Sequence, residues 1–257
     1  MSTILEVANV SKVFNVPSVR RNTVREHVLD AFRPRPVEKL RVLQDVSFSV
    51  APGETLGIMG RNGCGKSTLL KIVSGIYQPD QGKVVVRAPM TPILELGLGW
   101  NPDLDAIDNI FLIGSVMGMS LREIRSAVDE ILAFAELEPF ANLKLQHYSS
   151  GMGARLAYSI AFKAVRDILI LDEIFAVGDE GFQNRCKDRY RELKAQGHTV
   201  LLVSHNHVLM TEFCDRAILL EQGHVRLEGS PQKVCDAYLD VTSHRAQPEF
   251  EMAPAAG

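Results

Sequence analysis

Short apolar runs alternate along the chain with stretches in which apolar residues recur every three or four positions. Three runs rich in Leu, Ile and Val cover residues 55–59, 167–173 and 198–205, and runs of this length predict buried strands. Helical spacing follows the first run over residues 67–74 and precedes the second over residues 153–165. Because strands alternate with helices, the chain is predicted to be an α/β protein with a mainly parallel core.

Other segments predict further strands and a separate helical block. The strand candidates are residues 4–14, whose alternation predicts an antiparallel strand, residues 42–50 and 83–87, and a hairpin over 217–227. We expect the first of them to be an edge strand. Residues 104–146 instead have helical spacing, which predicts a helical insertion beside the core.

Composition limits the classes of protein that fit. The net charge is −3, so we expect no general basic surface and no nucleic-acid partner. No run of 18 apolar residues is present, so no membrane span is expected. The four cysteines are widely spaced, which favours reduced thiols in a cytosol. Residues 241–257 are polar and rich in Pro and Ala, and we expect a disordered tail there.

Residues 60–68 read GRNGCGKST and fit the phosphate-binding pattern G-x-x-x-x-G-K-[ST]. The loop lies between a predicted strand and a predicted helix, a context that points backbone N–H groups at an anion. Lys66 can reach the β- and γ-phosphates, and the Ser67 hydroxyl can ligate Mg²⁺. Cys64 is either a redox-sensitive thiol or a neutral spacer. The candidates for nucleotide contact are Gly60, Arg61, Asn62, Gly63, Cys64, Gly65, Lys66, Ser67 and Thr68.

Two acids follow the apolar run that ends at Leu171. Ligands in α/β folds bind at the carboxyl ends of core strands, so Asp172 and Glu173 are expected at the site. Asp172 suits Mg²⁺, as the acid of a Walker-B strand does. Glu173 is the candidate general base for the attacking water.

Residues 148–152 read YSSGM and precede a predicted helix that contains Arg155. Together with the phosphate loop and the Leu-Asp-Glu run, this segment makes the chain resemble the ATP-binding cassette (ABC) ATPases. The signature segment of that family usually reads L-S-G-G-Q, so Ser149 and Gly151 match it. Tyr148, Ser150 and Met152 depart from it. The small backbone and the hydroxyl that grip a phosphate are still present.

The resemblance covers roughly residues 3–240 and implies one cassette domain over residues 1–240. Such a cassette has a RecA-like core, an antiparallel β subdomain and a helical subdomain, here at about residues 92–165. It binds ATP with Mg²⁺ and dimerises head to tail. Each ATP would lie between the phosphate loop of one copy and Ser149, Ser150 and Gly151 of the second copy.

The resemblance also assigns roles to three single residues. His205 matches the family's switch histidine, which hydrogen-bonds the γ-phosphate. Asp179 matches the acid of the loop that usually reads S-A-L-D. Phe14 occupies the place of the aromatic that stacks on adenine, although an aromatic at a strand end is equally often a core residue.

A long link between the first two strands, residues 15–41, departs from an ordinary short hairpin loop. Between Arg20 and Arg41 it carries seven Lys or Arg residues against three acids. Val24, Val28, Leu29 and Phe32 share one helical face, which predicts a basic amphipathic helix. Such a helix suits a membrane surface or the cytoplasmic face of a partner. A solvated, locally packed loop is the alternative.

Residues 91–102 read TPILELGLGWNP, where most cassettes carry a glutamine loop, and no Gln is present. This segment, the YSSGM signature and the basic insertion together resemble the exporters of O-antigen, capsule or teichoic-acid polymers. Glu95 is the candidate by position for the role of the missing glutamine. Trp100 either anchors a partner helix or fills the core of the helical lobe.

The resemblance therefore implies the ATP-hydrolysing subunit of a transporter that exports a lipid-linked polysaccharide. We expect it at the cytoplasmic face of the inner membrane, bound to an integral membrane permease. Another exporter or importer cassette is the first alternative, although such cassettes favour a standard signature and a Gln. A cassette that acts on DNA or the ribosome is the second, although two cassettes, coiled coils or a basic surface would be typical of it.

Overall fold

The computed structural model describes residues 3–17, 37–93, 99–172 and 178–244. In chain order the helices and strands within these ranges are β1 (Leu5–Pro17), β2 (Val37–Val50), β3 (Thr55–Met59), α1 (Lys66–Val73), β4 (Gln81–Val86), β5 (Met90–Ile93), α2 (Ala106–Val116), α3 (Leu121–Ala135), α4 (Ser150–Lys163), β6 (Ile168–Asp172), α5 (Glu180–Ala195), β7 (Thr199–Val203), α6 (His207–Phe213), β8 (Arg216–Glu221), β9 (His224–Gly229) and α7 (Pro231–His244). Short 3-10 turns follow α3 at Glu138–Phe140 and Leu145–His147.

The larger sheet contains six strands in the order β5-β6-β7-β3-β8-β9. Its first five strands run parallel, and β9 returns antiparallel to β8. Leu169 and Leu171 of β6 pack towards α4 and α5, whereas Ile170 packs towards α1 and the smaller sheet. Every residue of β3 and β7 is therefore buried, as expected for parallel strands that are covered on both faces. The prediction of an α/β core is confirmed.

The smaller sheet has the order β2-β1-β4 and is antiparallel. The first strand is therefore central, and its prediction as an edge strand was wrong, because β4 pairs along its second side. The β1–β2 ladder continues to the pair Pro17–Val37. The link between these strands thus spans residues 18–36 rather than 15–41.

The ends of β1 and β2 were missed because Lys39 and Arg41 look unlike strand residues. Both side chains are exposed, while the backbone pairs of Lys39 with Asn15 and of Arg41 with Val13 maintain the ladder. A charged side chain on the solvent face does not disturb such a ladder. The predicted basic helix at Val24 to Phe32 lies outside the described residues.

Helices α2, α3 and α4 form the helical lobe around a buried apolar cluster that includes Ile110, Ile124 and Ile160. Asp105 caps α2, and Ser120 with Glu123 forms a capping box that starts α3. The lobe's helices begin at Ala106. Residues 92 and 93, which we assigned to the helical subdomain, belong instead to β5, which pairs with β6.

Helix α7 packs Val234 and Cys235 into the core beneath the larger sheet. It ends at His244, so residues 241–244 are helical and the predicted start of the disordered tail was wrong. Residues 245–257 lie outside the described residues. In the described parts of the chain, none of the helices has both the length and the apolar character needed to cross a membrane.

Candidate nucleotide site

Three core strands end at one edge of the larger sheet. Ile58 of β3 pairs with Val203 of β7, and Val203 pairs with Asp172 of β6. Because these strands are parallel, the segments that follow them leave the sheet side by side. The phosphate loop after β3, the carboxylate of Asp172 and the segment after β7 that carries His205 are thereby brought together.

The phosphate loop folds around the ammonium group of Lys66. Its Nζ donates hydrogen bonds to the carbonyl oxygens of Gly60, at 2.6 Å, and Arg61, at 3.0 Å. The side chain is buried, so the charge is held in place before any ligand binds. Gly65 has φ +109°, a value that suits glycine, and it lies directly before α1.

Gly60 is required for close packing at the start of the loop. A Cβ at this position would lie 2.4 Å from the carbonyl oxygen of Leu220 and 2.6 Å from the Sγ atom of Cys64. The backbone amide of Gly223 also donates to the carbonyl oxygen of Cys64 at 3.2 Å. The hairpin β8–β9 therefore supports the loop from behind.

A cavity of about 630 Å³ lies in front of the loop. Helix α1 begins there without a side-chain cap and without an acid in its first turn. Uncapped N–H groups at a helix start bind anions, so this cavity suits the phosphates of a nucleotide. The described residues that line it are Val42, Asn62, Gly63, Gly65, Lys66, Ser67, Thr68 and Asp172.

Six of the nine predicted loop residues line the cavity, whereas Gly60, Arg61 and Cys64 do not. The Cys64 side chain is 2 % exposed and packs into the core below the loop. Burial raises the pKa of this thiol, with the nearby Lys66 charge opposing the shift, so the thiol stays protonated and unreactive. The structure thus favours the neutral-spacer interpretation of Cys64. Arg61 contributes its carbonyl oxygen to the bond with Lys66.

Ser67 and Asp172 both line the cavity, and their oxygens are the donors that Mg²⁺ prefers. His205 is exposed and lies two residues beyond Val203. The neighbouring Ser204 is buried, and its hydroxyl accepts a hydrogen bond from the backbone amide of Asn206 at 3.1 Å. Glu173 and Glu95 lie outside the described residues, so their roles stay predictions.

Phe14 lies on β1 and is half-buried against the core cluster that contains Val42 and Cys64. Its ring meets that of Tyr77 edge to face, with the centroids 5.8 Å apart. Among the described residues that line the cavity, Val42 is present and Phe14 is not. Val42 was not predicted as a site residue, because only the folding of β2 brings it to the loop.

The signature residues lie at the start of α4, away from this cavity. Ser149 caps the helix, and its Oγ accepts a hydrogen bond from the Met152 amide at 3.2 Å. Ser150 and Gly151 follow in the first turn, and all three predicted contact residues are exposed. The helix begins at Ser150 rather than at the predicted residue 153. These groups are therefore open to a second molecule.

Glu136 joins the signature helix to α5, a contact that the sequence did not reveal. Its carboxylate accepts hydrogen bonds from Arg155 of α4, at 3.1 Å, and Arg185 of α5, at 2.7 Å. Arg155 also lies 3.8 Å from the carboxylate of Asp179, which caps α5. The amide of Phe182 lowers the pKa of Asp179, with smaller effects from the charges of Arg155 and Arg185.

Trp100 is half-buried and packs against the apolar cluster of the helical lobe. This contact favours the core interpretation over a partner anchor. The segment that follows is held by Asn109, a fully buried residue of α2. Its Oδ1 accepts from the Asn101 amide at 2.9 Å, and its Nδ2 donates to the carbonyl oxygens of Asn101 and Asp105. A polar residue on the apolar face of a predicted helix was the only sequence signal for this role.

Known proteins resemble this chain along most of its length. The ABC transporter family model matches residues 43–176. The ABC transporter protein AbcA of Aeromonas salmonicida is 41% identical over 91% of this chain and 75% of its own. The O-antigen export system ATP-binding protein RfbB of Klebsiella pneumoniae is 35% identical over 93% of this chain and 98% of its own. The teichoic acids export ATP-binding protein TagH of Listeria monocytogenes is 36% identical over 80% of this chain and 61% of its own.

Solved structures show the same fold. An ATP-binding subunit of an ABC transporter superposes with a TM-score of 0.72 at 24% identity, over 94% of this chain and 98% of its own. A dimeric ATP-binding cassette in a post-hydrolysis state, bound to ADP and phosphate, gives 0.70 at 24% identity over 88% and 98%. The chain belongs to the ABC transporter family and is one of its ATP-binding and ATP-hydrolysing cassettes.

Proposed function

We propose that the chain is the ATPase subunit of a transporter that exports a lipid-linked, O-antigen-like polysaccharide across the inner membrane. The observation that carries this proposal is the similarity, over nearly the whole of both chains, to a relative named for O-antigen export. The unusual signature YSSGM and the segment TPILELGLGWNP support the same subfamily.

The phosphates of ATP fit the cavity in front of the loop. Lys66 would turn its ammonium from the carbonyl oxygens of Gly60 and Arg61 towards the phosphate oxygens, while the uncapped amides of α1 donate to them. Because these donors already point into one space, little reorganisation is needed when the nucleotide binds. Mg²⁺ fits the hydroxyl of Ser67 and the carboxylate of Asp172, and it would neutralise charge on the phosphate oxygens.

Glu173, the residue after Asp172, would be the general base for the attacking water. Its carboxylate would accept a proton from that water, and His205 would donate a hydrogen bond to the γ-phosphate. The strand ends support this arrangement, because β6 and β7 are paired up to Asp172 and Val203. Both residues would thus leave the sheet beside the loop.

A second copy of the chain would complete the site. Ser149, Ser150 and Gly151 are exposed at the start of α4, and they do not line the cavity formed by the described residues of their own chain. In a head-to-tail dimer they would face the phosphates bound by the partner's loop. Asp179 would lie at the same interface, since Arg155 connects it to the signature helix.

The transport partner would be an integral membrane permease. We propose that Glu95 and the basic segment at residues 15–41 take part in coupling to the permease. Within that segment, residues 18–36 join β1 to β2. Trp100 would stabilise the segment around Glu95 from within the helical lobe, rather than contact the permease directly. The assembly would lie at the cytoplasmic face of the inner membrane.

Co-purification tests the proposed cargo. The chain, expressed with a candidate integral membrane permease, should yield a complex that retains a glycolipid. In liposomes, lipid-linked polysaccharide should stimulate ATP hydrolysis several-fold, and the Lys66→Ala complex should assemble without hydrolysing ATP. An assembled, active complex that ignores lipid-linked polysaccharide but responds to a different class of cargo would contradict the proposal.

A further inference from the structure

The strand that carries Phe14 loses one of its two neighbours before it reaches that residue. β4 pairs with β1 only as far as the pair Ser11–Gln81, whereas β2 pairs with β1 through Pro17. The register of the β1–β2 ladder also shifts on either side of Lys12. Backbone groups at an unpaired, irregular edge need other partners if the strand is to hold one position.

Asp80 takes the place of the missing strand. Its backbone amide donates to the carbonyl oxygen of Ser11 at 2.9 Å, and its Oδ2 accepts from the amide of Val13 at 2.6 Å. Its Oδ1 accepts from Nζ of Lys12 at 3.0 Å. Asp80 thus bonds to Ser11, Lys12 and Val13, the three residues of β1 that directly precede Phe14. The two bonds that its carboxylate accepts are charge-assisted.

Tyr77 holds the ring of Phe14 from the same loop. The two rings are inclined by 68° with centroids 5.8 Å apart, which is a favourable edge-to-face geometry. Nζ of Lys12 lies 5.5 Å from the Phe14 centroid, and Nζ of Lys71 lies 5.7 Å from the Tyr77 centroid. The ring of Phe14 is therefore fixed by an aromatic and a cation at once.

The same loop is attached to the phosphate-binding helix. The amides of Ile76 and Tyr77 both donate to the carbonyl oxygen of Lys71, at 2.8 Å and 3.1 Å. Helix α1 therefore starts with Lys66 in the phosphate cavity and ends at the loop that holds Phe14. Its eight residues, about 12 Å long, connect the two places as a short rigid element.

We propose that Tyr77 and Asp80 are positioning residues that hold Phe14 for contact with the purine base of ATP. This inference rests on the proposed function as an ATPase and on the role that the family resemblance gives to Phe14, that of the aromatic that stacks on adenine. Under this proposal, the loop after α1 sets the affinity for the purine base, whereas the start of α1 sets the affinity for the phosphates.

Equilibrium binding of two probes tests the proposal, namely ATP and inorganic tripolyphosphate, each with Mg²⁺. Phe14→Ala, Tyr77→Ala and Asp80→Ala should each weaken ATP binding by roughly three- to tenfold and leave tripolyphosphate binding within about twofold of the wild type. Tyr77→Phe keeps the ring and should restore ATP affinity. The exposed neighbour Ile76 offers a matched control, Ile76→Ala, which should bind both probes as the wild type does.

Three results would overturn the inference, and they are distinguishable. If only Phe14→Ala lost ATP affinity, Phe14 would still be assigned to the base, but Tyr77 and Asp80 would have no positioning role. An unchanged affinity in all three variants would exclude the platform as well. An equal loss of tripolyphosphate affinity would show that the loop acts on the phosphate site instead. Failure of the wild type to bind ATP would contradict the proposed function itself.

Discussion

At the scale of residues, the phosphate loop depends on one close approach of backbone to backbone. Gly60 lies against the Leu220 carbonyl with no room for a side chain, and this contact holds the carbonyl oxygen that accepts from Lys66. The loop motif is local in sequence, so its residues could be predicted. Val42 and Leu220 come from other strands, and only the folded chain reveals their part in the site.

Gly60→Ala should therefore damage both stability and binding. Its Cβ would force backbone apart, which costs roughly 1–3 kcal/mol in a packed interior, and ATP affinity should fall with the loss of loop geometry. Gly153→Ala is the matched control, because no heavy atom lies within 4 Å of the added Cβ and the position is helical. That variant should gain up to about 1 kcal/mol.

Urea unfolding and ATP titration measure these two effects. If Gly60→Ala unfolded at the wild-type urea concentration and bound ATP normally, the tight contact with Leu220 would not exist in solution.

Asp179 gives the cassette a predictable response to acid. Its pKa is lowered in the folded state, so the ionised form stabilises the fold above the ordinary carboxyl pKa of about 3.9. This stabilisation is lost as the pH falls through the lowered value. Asp179→Asn keeps an N-cap but removes the charge. We expect its deficit in Tm to be largest near neutral pH and to shrink below about pH 4.

Thermal melts of both proteins across the pH range provide the measurement. Asp188→Asn on the same helix controls for removal of any acid from α5, and a Tm deficit that does not change with pH would refute the assignment.

At the scale of elements, some strands and helices could be predicted from the sequence and others could not. The buried strands β3, β6 and β7 were predicted because parallel strands read as continuous apolar runs. Strand β5 was missed because it contains Pro92, which a sheet tolerates at its edge. Helix α5 was missed because half of its residues are charged, although Phe182, Cys186, Tyr190 and Leu193 form a buried helical stripe.

Glu136 is the clearest test of how the elements are joined. Glu136→Ala removes the carboxylate that Arg155 and Arg185 share. Two nitrogens of the Arg185 guanidinium are already buried without a hydrogen-bond partner among the described residues. Without Glu136, the third nitrogen of that guanidinium would also lose its acceptor. We expect a loss of roughly 1 kcal/mol, near the upper end for a half-exposed ion pair, because two helices are released together. ATP hydrolysis should also fall, since the signature helix loses its link to α5.

Glu130→Ala is the control, because Glu130 pairs with Lys163 within the helical lobe and not with α5. Chemical unfolding and steady-state ATPase rates compare the two variants. Equal ATPase rates in both would show that the link through Glu136 has no part in turnover.

At the scale of the whole molecule, the two halves of the proposed ATP site lie on different elements of the cassette. The phosphate loop opens at the carboxyl edge of the larger sheet, whereas Ser149 to Gly151 cap a helix in the lobe. Helix α4 packs against both the lobe core and the sheet, so the two halves are fixed within one chain. In the proposed site, a second copy of the chain supplies the half that the phosphate loop lacks, as the sequence motifs imply.

ATP-dependent dimerisation tests this claim most directly. Glu173→Gln should bind ATP without hydrolysing it, so light scattering should show the mass of one chain without nucleotide and of two chains with ATP and Mg²⁺. Ser149→Arg added to this variant should leave ATP binding intact and keep the protein monomeric, because the arginine would obstruct the shared site. A Glu173→Gln protein that binds ATP and stays monomeric, or a double variant that still dimerises, would contradict the account.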